Sequence, residues 1–203
     1  MIRIALVNGA TIPFNPNMAS LNRIIMQRKS RAWINSLGPE TLDAAEISGK
    51  WGQTFPFRSY AQYRYPKFDI CKGPILDETE KPRKFDLIIA NQVWEHLDRP
   101  YTATKNVRKM LRKGGWFWVA VPFYIPFHAA PNDCSRWSAR GLKNLLVEAG
   151  FNEDAVQSHQ WGNRNAALRN MDEVWPPEYD SASDPLENDS QMPVCAWAMA
   201  QKV

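Results

Sequence analysis

Three cysteines in 203 residues, Cys71, Cys134 and Cys195, are too few and too far apart to build a disulfide framework, and their number is odd. They suit a reducing compartment, and a cytoplasmic location is expected. Histidine is equally scarce. His96, His128 and His159 share no ligand-like spacing with the cysteines, so no metal site is expected. No run of apolar residues is long enough to cross a membrane as a helix. The opening Met1-Ile2-Arg3-Ile4-Ala5-Leu6-Val7-Asn8 has too short an apolar run for a secretory leader, and no small-residue cleavage site follows it. No Gly-x-Gly-x-x-Gly and no phosphate-cradling Gly-Lys-Ser/Thr loop occurs, which argues against dinucleotide and nucleoside triphosphate chemistry. Internal repeats and low-complexity tracts are also missing.

What remains is an ordinary globular composition, 44% hydrophobic and 23% charged, in a chain long enough to bury a full core. A single domain is expected. The net charge of +4 is too mild to imply nucleic-acid binding. It is unevenly spread. Residues 171–190 carry seven acids and no Lys or Arg, which leaves 25 basic against 14 acidic residues elsewhere. The simplest account of that acidic stretch is a solvated loop.

The hydrophobic pattern alternates between two periods. Residues 2–7 suggest a short strand. Residues 17–37 read as a helix, capped by Asn17, striped by Leu21, Ile24, Ile25, Ile34 and Leu37, and stopped at Gly38-Pro39. Residues 42–47 read as a strand running into Ser48-Gly49-Lys50-Trp51-Gly52, and Phe68-Asp69-Ile70 as a brief extended piece. Residues 85–90 form a continuous apolar strand of the kind buried on both faces. Helices are predicted over 100–112, ended by Gly114-Gly115, and over 138–149, with Ser138 as cap and Leu142, Leu145, Leu146 and Ala149 on one face. Strands are predicted over 116–121 and 194–200. Strands alternating with amphipathic helices imply an α/β domain with a mostly parallel sheet. Ligands in such folds bind beyond the carboxyl ends of the strands.

Three segments lie there. Glu46-Ile47-Ser48-Gly49-Lys50-Trp51-Gly52 offers a carboxylate and a turn that lets a ligand approach the backbone. Asn91-Gln92-Val93-Trp94-Glu95-His96-Leu97 offers two amides and an imidazole. The loop from Pro122 to Trp137 is long, aromatic and proline-rich, and carries His128, Asp133 and Arg136. Asp133 and Arg136 can equally be a local pair that fixes the loop.

Together these segments resemble the class I S-adenosylmethionine-dependent methyltransferases, and more narrowly the small bacterial type 11-like branch. The strongest likeness is Phe85-Asp86-Leu87-Ile88-Ile89-Ala90 closed by Glu95-His96-Leu97, similar to the family's fourth strand and the segment after it. Met110-Leu111-Arg112-Lys113-Gly114-Gly115 is similar to the turn before its fifth strand. His128 through Arg136-Trp137-Ser138 to Ala149-Gly150-Phe151 is similar to the loop and helix beyond. The first motif departs from the family's Glu-x-Gly-x-Gly-x-Gly, because Ser48 stands where the first glycine is expected. The resemblance implies a three-layer Rossmann-like fold with an antiparallel last strand, and the step of only 17 positions from Asp69 to Asp86 implies that it is trimmed between the family's strands 2 and 4.

The resemblance implies methyl transfer from S-adenosylmethionine, leaving S-adenosylhomocysteine, to a small-molecule or glycan acceptor. It implies that Glu46, Ser48 and Gly49 hold the methionine end. Asp69 takes the ribose, the alternative being a place beside the adenine. Asn91, Gln92 and Val93 lie along the cofactor. His128 is the first candidate base and His96 the second. Trp51, Trp94, Tyr124 and Trp137 are expected to wall an apolar cleft. Residues 1–40 read as an N-terminal extension, 41–160 as the cofactor-binding core, and 161–193 as an acidic, lid-like insertion before the last strand. The extension and the insertion, with Trp161, Trp175 and Tyr179, are expected to form an acceptor lid or a homodimer contact. The competing class is a non-catalytic cofactor-binding or scaffold protein on the same fold.

Overall fold

The computed structural model describes residues 20–129, 131–172 and 174–203. The expected strand over 2–7 and the Asn17 cap lie outside them. In chain order the elements are α1 (Ile24–Ser36), β1 (Asp43–Ile47), β2 (Ser59–Tyr63), β3 (Phe85–Asn91), α2 (Pro100–Met110), β4 (Leu111–Pro122), α3 (Ala139–Glu148), β5 (Val156–Trp161), α4 (Arg164–Arg169) and β6 (Cys195–Gln201).

The six strands form one sheet in the order β2-β1-β3-β4-β6-β5. Neighbours from β2 through β4 are parallel. The last strand, β6, slots between β4 and β5 and runs antiparallel to both. This is the expected Rossmann-like α/β architecture with its antiparallel last strand. The trimming is also present. Residues 64–84, which join β2 to β3, hold no helix and no strand, only an isolated bridge between Leu76 and Pro82. The stretch expected to be extended at Phe68-Asp69-Ile70 lies in this loop. A 3-10 turn at Trp51–Thr54 is the only helical element between β1 and β2.

Side-chain alternation along β3 explains why both faces need a cover. Ile88 and Ala90 enter one core cluster with Val107 and Met110 of α2 and Leu142, Leu145 and Leu146 of α3. Leu87 and Ile89 enter the other with Met26 and Ile34 of α1 and Ala166 and Ala167 of α4. Each large apolar side chain so buried contributes about 1.5–3 kcal/mol. The helix α1 precedes the sheet in sequence, yet it shares a core with the face that the short β1–β2 connection leaves without a helix of its own. Its Ser30 accepts the indole N–H of Trp118 at 2.9 Å, so the one polar atom of that buried ring is satisfied.

The helix ends follow their sequence signals. Ser138 accepts the Gly141 N–H at 3.2 Å and starts α3, and Gly150, at φ +103°, follows its end. Gly38, at φ +67°, follows α1 as expected. Gly114-Gly115 behaves differently from expectation. The helix α2 already stops at Met110, and the glycines lie inside β4, where pairing to β3 jumps from Phe85–Leu111 to Leu87–Trp116. Gly114, at φ +80°, takes up that irregularity. The strands β2 and β5 and the short helix α4 were not foreseen in the sequence.

Candidate functional site

A cleft of about 260 Å³ opens along the carboxyl edge of the sheet. Ser48 after β1, Asn91 and Gln92 at the end of β3, Pro122 at the end of β4 and Cys195 at the start of β6 all line it. The antiparallel β6 begins where its parallel neighbours end, so it meets the same edge. Asn22 and Arg23 before α1, Glu95 and His96, His128, and Trp175 with Pro176 complete the walls.

Two residues at this edge adopt a left-handed backbone that side-chain-bearing residues seldom take. Ser48 has φ +55° and Gln92 has φ +58°. Each turns its N–H sideways onto the neighbouring strand, Ser48 to the Tyr63 carbonyl at 2.8 Å and Gln92 to the Ala120 carbonyl at 2.9 Å. The backbone of the first motif therefore keeps a glycine-like conformation although serine occupies it.

Glu46 does not face the cleft. Its carboxylate is fully buried and accepts the Trp51 N–H at 3.0 Å, the Gly52 N–H at 2.6 Å and the Tyr60 hydroxyl. Burial raises its pKa, and the three donors oppose that rise. Gly49 lies against it so closely that an added Cβ would stand 1.9 Å from Oε1. A second glycine, Gly52, packs on Tyr60, where a Cβ would stand 2.4 Å from the ring. These glycines serve the turn's closure onto its own carboxylate.

At the β3 end, Asn91 Oδ1 and Gln92 Nε2 are buried and have no partner among the described residues. Val93 is buried against the α2–α3 core. Asp69 lies beyond the carboxyl end of β2, outside the cleft lining, and accepts the Cys71 N–H at 2.9 Å.

The imidazoles His96 and His128 come together. Their ring centroids are 5.0 Å apart, edge to face. His96 Nδ1 lies 2.5 Å from the Asn132 carbonyl, a pure acceptor, so Nδ1 carries a proton. His96 Nε2 lies 3.7 Å from Oε1 of Glu95. Glu95 is 1% exposed, its Oε2 has no partner among the described residues, and burial pushes its pKa up to about 8. The His128 imidazole is held below the ordinary histidine range by burial first and by His96 next. Asp133 orients this loop. It takes both guanidinium nitrogens of Arg136 and accepts the His128 N–H at 2.7 Å. The local pair expected for Asp133 and Arg136 is thus realised. The loop is sewn to the β3 end by Cys134 and Ser135, whose N–H groups donate to the Glu95 carbonyl at 2.8 and 3.2 Å.

The expected aromatic walls are elsewhere. Trp94 is fully buried and donates its indole N–H to Thr104 at 2.9 Å. Trp51 packs on Trp118 in the opposite core, Trp137 packs against the α2–α3 core, and Tyr124 is exposed. The aromatic ring in the cleft is Trp175, which covers His128 at 5.1 Å. In the same insertion Trp161 is buried in the α1 core and Tyr179 packs against that core. The acidic stretch is only partly solvated. Asp184 is buried and binds Arg169 at 2.7 Å, Asn165 at 2.8 Å and the Asp180 N–H at 2.8 Å.

Residues 57–117, from just before β2 into β4, match a family described as a methyltransferase domain. A SAM-dependent methyltransferase from Thermotoga maritima, described as a possible histamine N-methyltransferase, has a similar fold. The TM-score is 0.54 at 15% identity, over 91% of this chain and 98% of that one. A SAM-dependent methyltransferase from Archaeoglobus fulgidus gives a TM-score of 0.50 at 11% identity, over 89% and 94% of the two chains. The CMeT domain of the citrinin polyketide synthase gives 0.55 at 13% identity, over 88% of this chain and 52% of that one. No curated protein is similar in sequence. The matched segment is that of a methyltransferase domain, and the fold is the one these solved S-adenosylmethionine-dependent methyltransferases share.

Proposed function

We propose that the protein transfers a methyl group from S-adenosylmethionine to a small-molecule or glycan acceptor held in the edge cleft. The observation that carries this reading is the pair of buried amide atoms without a partner among the described residues, Asn91 Oδ1 and Gln92 Nε2, on the cleft at the end of β3. A buried polar atom without a partner costs about 1–3 kcal/mol, which a polar nucleoside ligand returns by bonding to it. The residues fit such a ligand at the β1 and β3 ends. Ser48 and the turn after it would flank the methionine end, and Asn91, Gln92 and Val93 would run alongside. Glu46 would act at one remove, fixing the turn through the Trp51 and Gly52 N–H groups. Asp69 remains the candidate for the ribose or adenine end, supported by its place beyond the end of β2.

When bound, S-adenosylmethionine supplies a methyl group already activated by its sulfonium. The chain's part is then to hold the acceptor in line and to take its proton. His128, neutral in its half-buried setting, is the base of choice, and His96 Nε2 is the second. Trp175 over His128 would keep water from the acceptor.

Calorimetry with S-adenosylmethionine and S-adenosylhomocysteine tests the cofactor. Micromolar binding is expected, and binding no tighter than millimolar for both removes the reading. A release assay for S-adenosylhomocysteine, run over hydroxylated and aminated acceptors, then reads turnover. A second reading, a cofactor-binding scaffold without turnover, is favoured by the complete engagement of Glu46 within its own loop. Tight binding with no turnover on any acceptor would select it.

A further inference from the structure

The geometry points to a divalent transition-metal site, of the zinc or iron(II) type, formed by Glu95, His96 and His128 at the floor of the cleft. One carboxylate oxygen and one nitrogen from each imidazole all lie within 4.8 Å of one another. Two histidines and a carboxylate that leave further positions open is a ligand set used by zinc hydrolases and non-haem iron enzymes. Closing it to metal–ligand distances of about 2.0–2.2 Å needs the three side chains to draw together by about an ångström. His128 sits on a loop and His96 in a single 3-10 turn, so both can give that much.

Two independent observations favour an ion over a chance cluster. Glu95 is 1% exposed and, among the described residues, its Oε2 has no hydrogen-bond partner, the charges of Arg23 and Arg136 acting on it only from beyond ion-pair distance. Among the described residues it forms no ion pair with any Lys or Arg within 4.0 Å; His96 is its only partner there. An ion held between Glu95 and the imidazoles would give that oxygen the partner it lacks among the described residues. Secondly, His96 is set as metal-binding histidines usually are. Its Nδ1–H is tied to the Asn132 carbonyl, which fixes the ring and places Nε2 3.7 Å from Glu95 Oε1. The spacing rule that spoke against a metal from sequence fails here because the ligands come from two strand ends, β3 and β4, adjacent in the sheet but 32 positions apart.

The site stands on its own geometry, independently of the methyltransferase reading. If the two act together, the imidazole lone pairs go to the ion. The acceptor hydroxyl is then activated by coordination to the ion in place of a histidine base.

The test uses the full chain stripped with a chelator and titrated with cobalt(II) and zinc(II). One equivalent of each is expected to bind with micromolar or tighter affinity. The cobalt spectrum should show visible ligand-field bands and no thiolate charge-transfer band. Glu95→Gln, which keeps the side chain's shape, and His128→Ala, on the loop, should each weaken zinc binding by about 100-fold or more. Zinc should raise the melting temperature of the parent chain and not of these variants, whose circular dichroism should be unchanged. Binding no tighter than millimolar, equal affinity in both variants, or a thiolate band abolished by Cys195→Ser would overturn the site. S-adenosylhomocysteine calorimetry on the metal-free chain reads the cofactor separately, so failure of one proposal is distinguishable from failure of the other.

Discussion

The hydroxyl of Tyr60, on the edge strand β2, donates a hydrogen bond to the carboxylate of Glu46 on β1. The first motif is therefore a closed clasp, in which a carboxylate holds the turn that follows it. Tyr60→Phe should lower stability by about 1–2 kcal/mol. Gly49→Ala should cost about 3 kcal/mol or more, because its Cβ would collide with Glu46. Urea denaturation measures both. A Gly49→Ala variant as stable as the parent would show that the clasp opens without cost.

If Asn91 bonds the cofactor, loss of its side chain removes that hydrogen bond and leaves the β3 backbone intact. Asn91→Ala should weaken S-adenosylhomocysteine binding by about tenfold, the worth of one hydrogen bond. The melting temperature should hold or rise, since a buried unpartnered atom is removed. Calorimetry beside a thermal melt reads both quantities.

Asp69 has a sharper test. If it reaches the nucleoside, Asp69→Ala should weaken S-adenosylhomocysteine binding by about tenfold or more. Unchanged affinity would reduce it to the bond it makes with the Cys71 N–H in its own loop.

Trp175 lies tilted against His128, from a segment that also reaches the cleft through Pro176. Trp175→Ala should raise the acceptor KM by about three- to tenfold, in line with an aromatic contact of ~1 kcal/mol. Affinity for S-adenosylhomocysteine should stay within twofold. Steady-state kinetics, once an acceptor is found, separate the two effects.

His159 sits on β5, stacked against Trp197 of β6 with centroids 5.6 Å apart. Burial first, and Lys29 next, lower its pKa from the ordinary 6.5. Between the lowered value and 6.5 the unfolded chain binds more protons than the folded one. Stability should therefore rise with pH across that window and be fully recovered above 6.5. Thermal melts from pH 5 to 8 should show this slope in the parent and a flatter one in His159→Gln. An equal slope in both would assign the dependence elsewhere.

Local signals carried the central elements. The strand β3 is legible because both its faces are buried from Leu87 to Ala90, a stretch that is apolar without interruption. The helix α3 is legible through Ser138 and the spacing of Leu142, Leu145 and Leu146. The strands β2 and β5 are not, for a shared reason. They are the two edges of the sheet, where Ser-Tyr-Ala-Gln-Tyr and Val-Gln-Ser-His-Gln-Trp need bury only part of their surface, so no apolar run marks them.

The site divides in the same way. The amino-acid order alone determined that turns carrying Ser48, Asn91, Gln92 and His128 follow strands, because a strand's end and its polar follower are adjacent in the chain. Only folding decided which of the eligible side chains face one another. Trp94 and Trp51 entered cores while Trp175 came to the cleft, and Glu46 turned onto its own loop. Glu95 and His96 met His128 because β3 and β4 pair side by side, a neighbour relation fixed by the burial of two helix layers and written at no single position of the sequence.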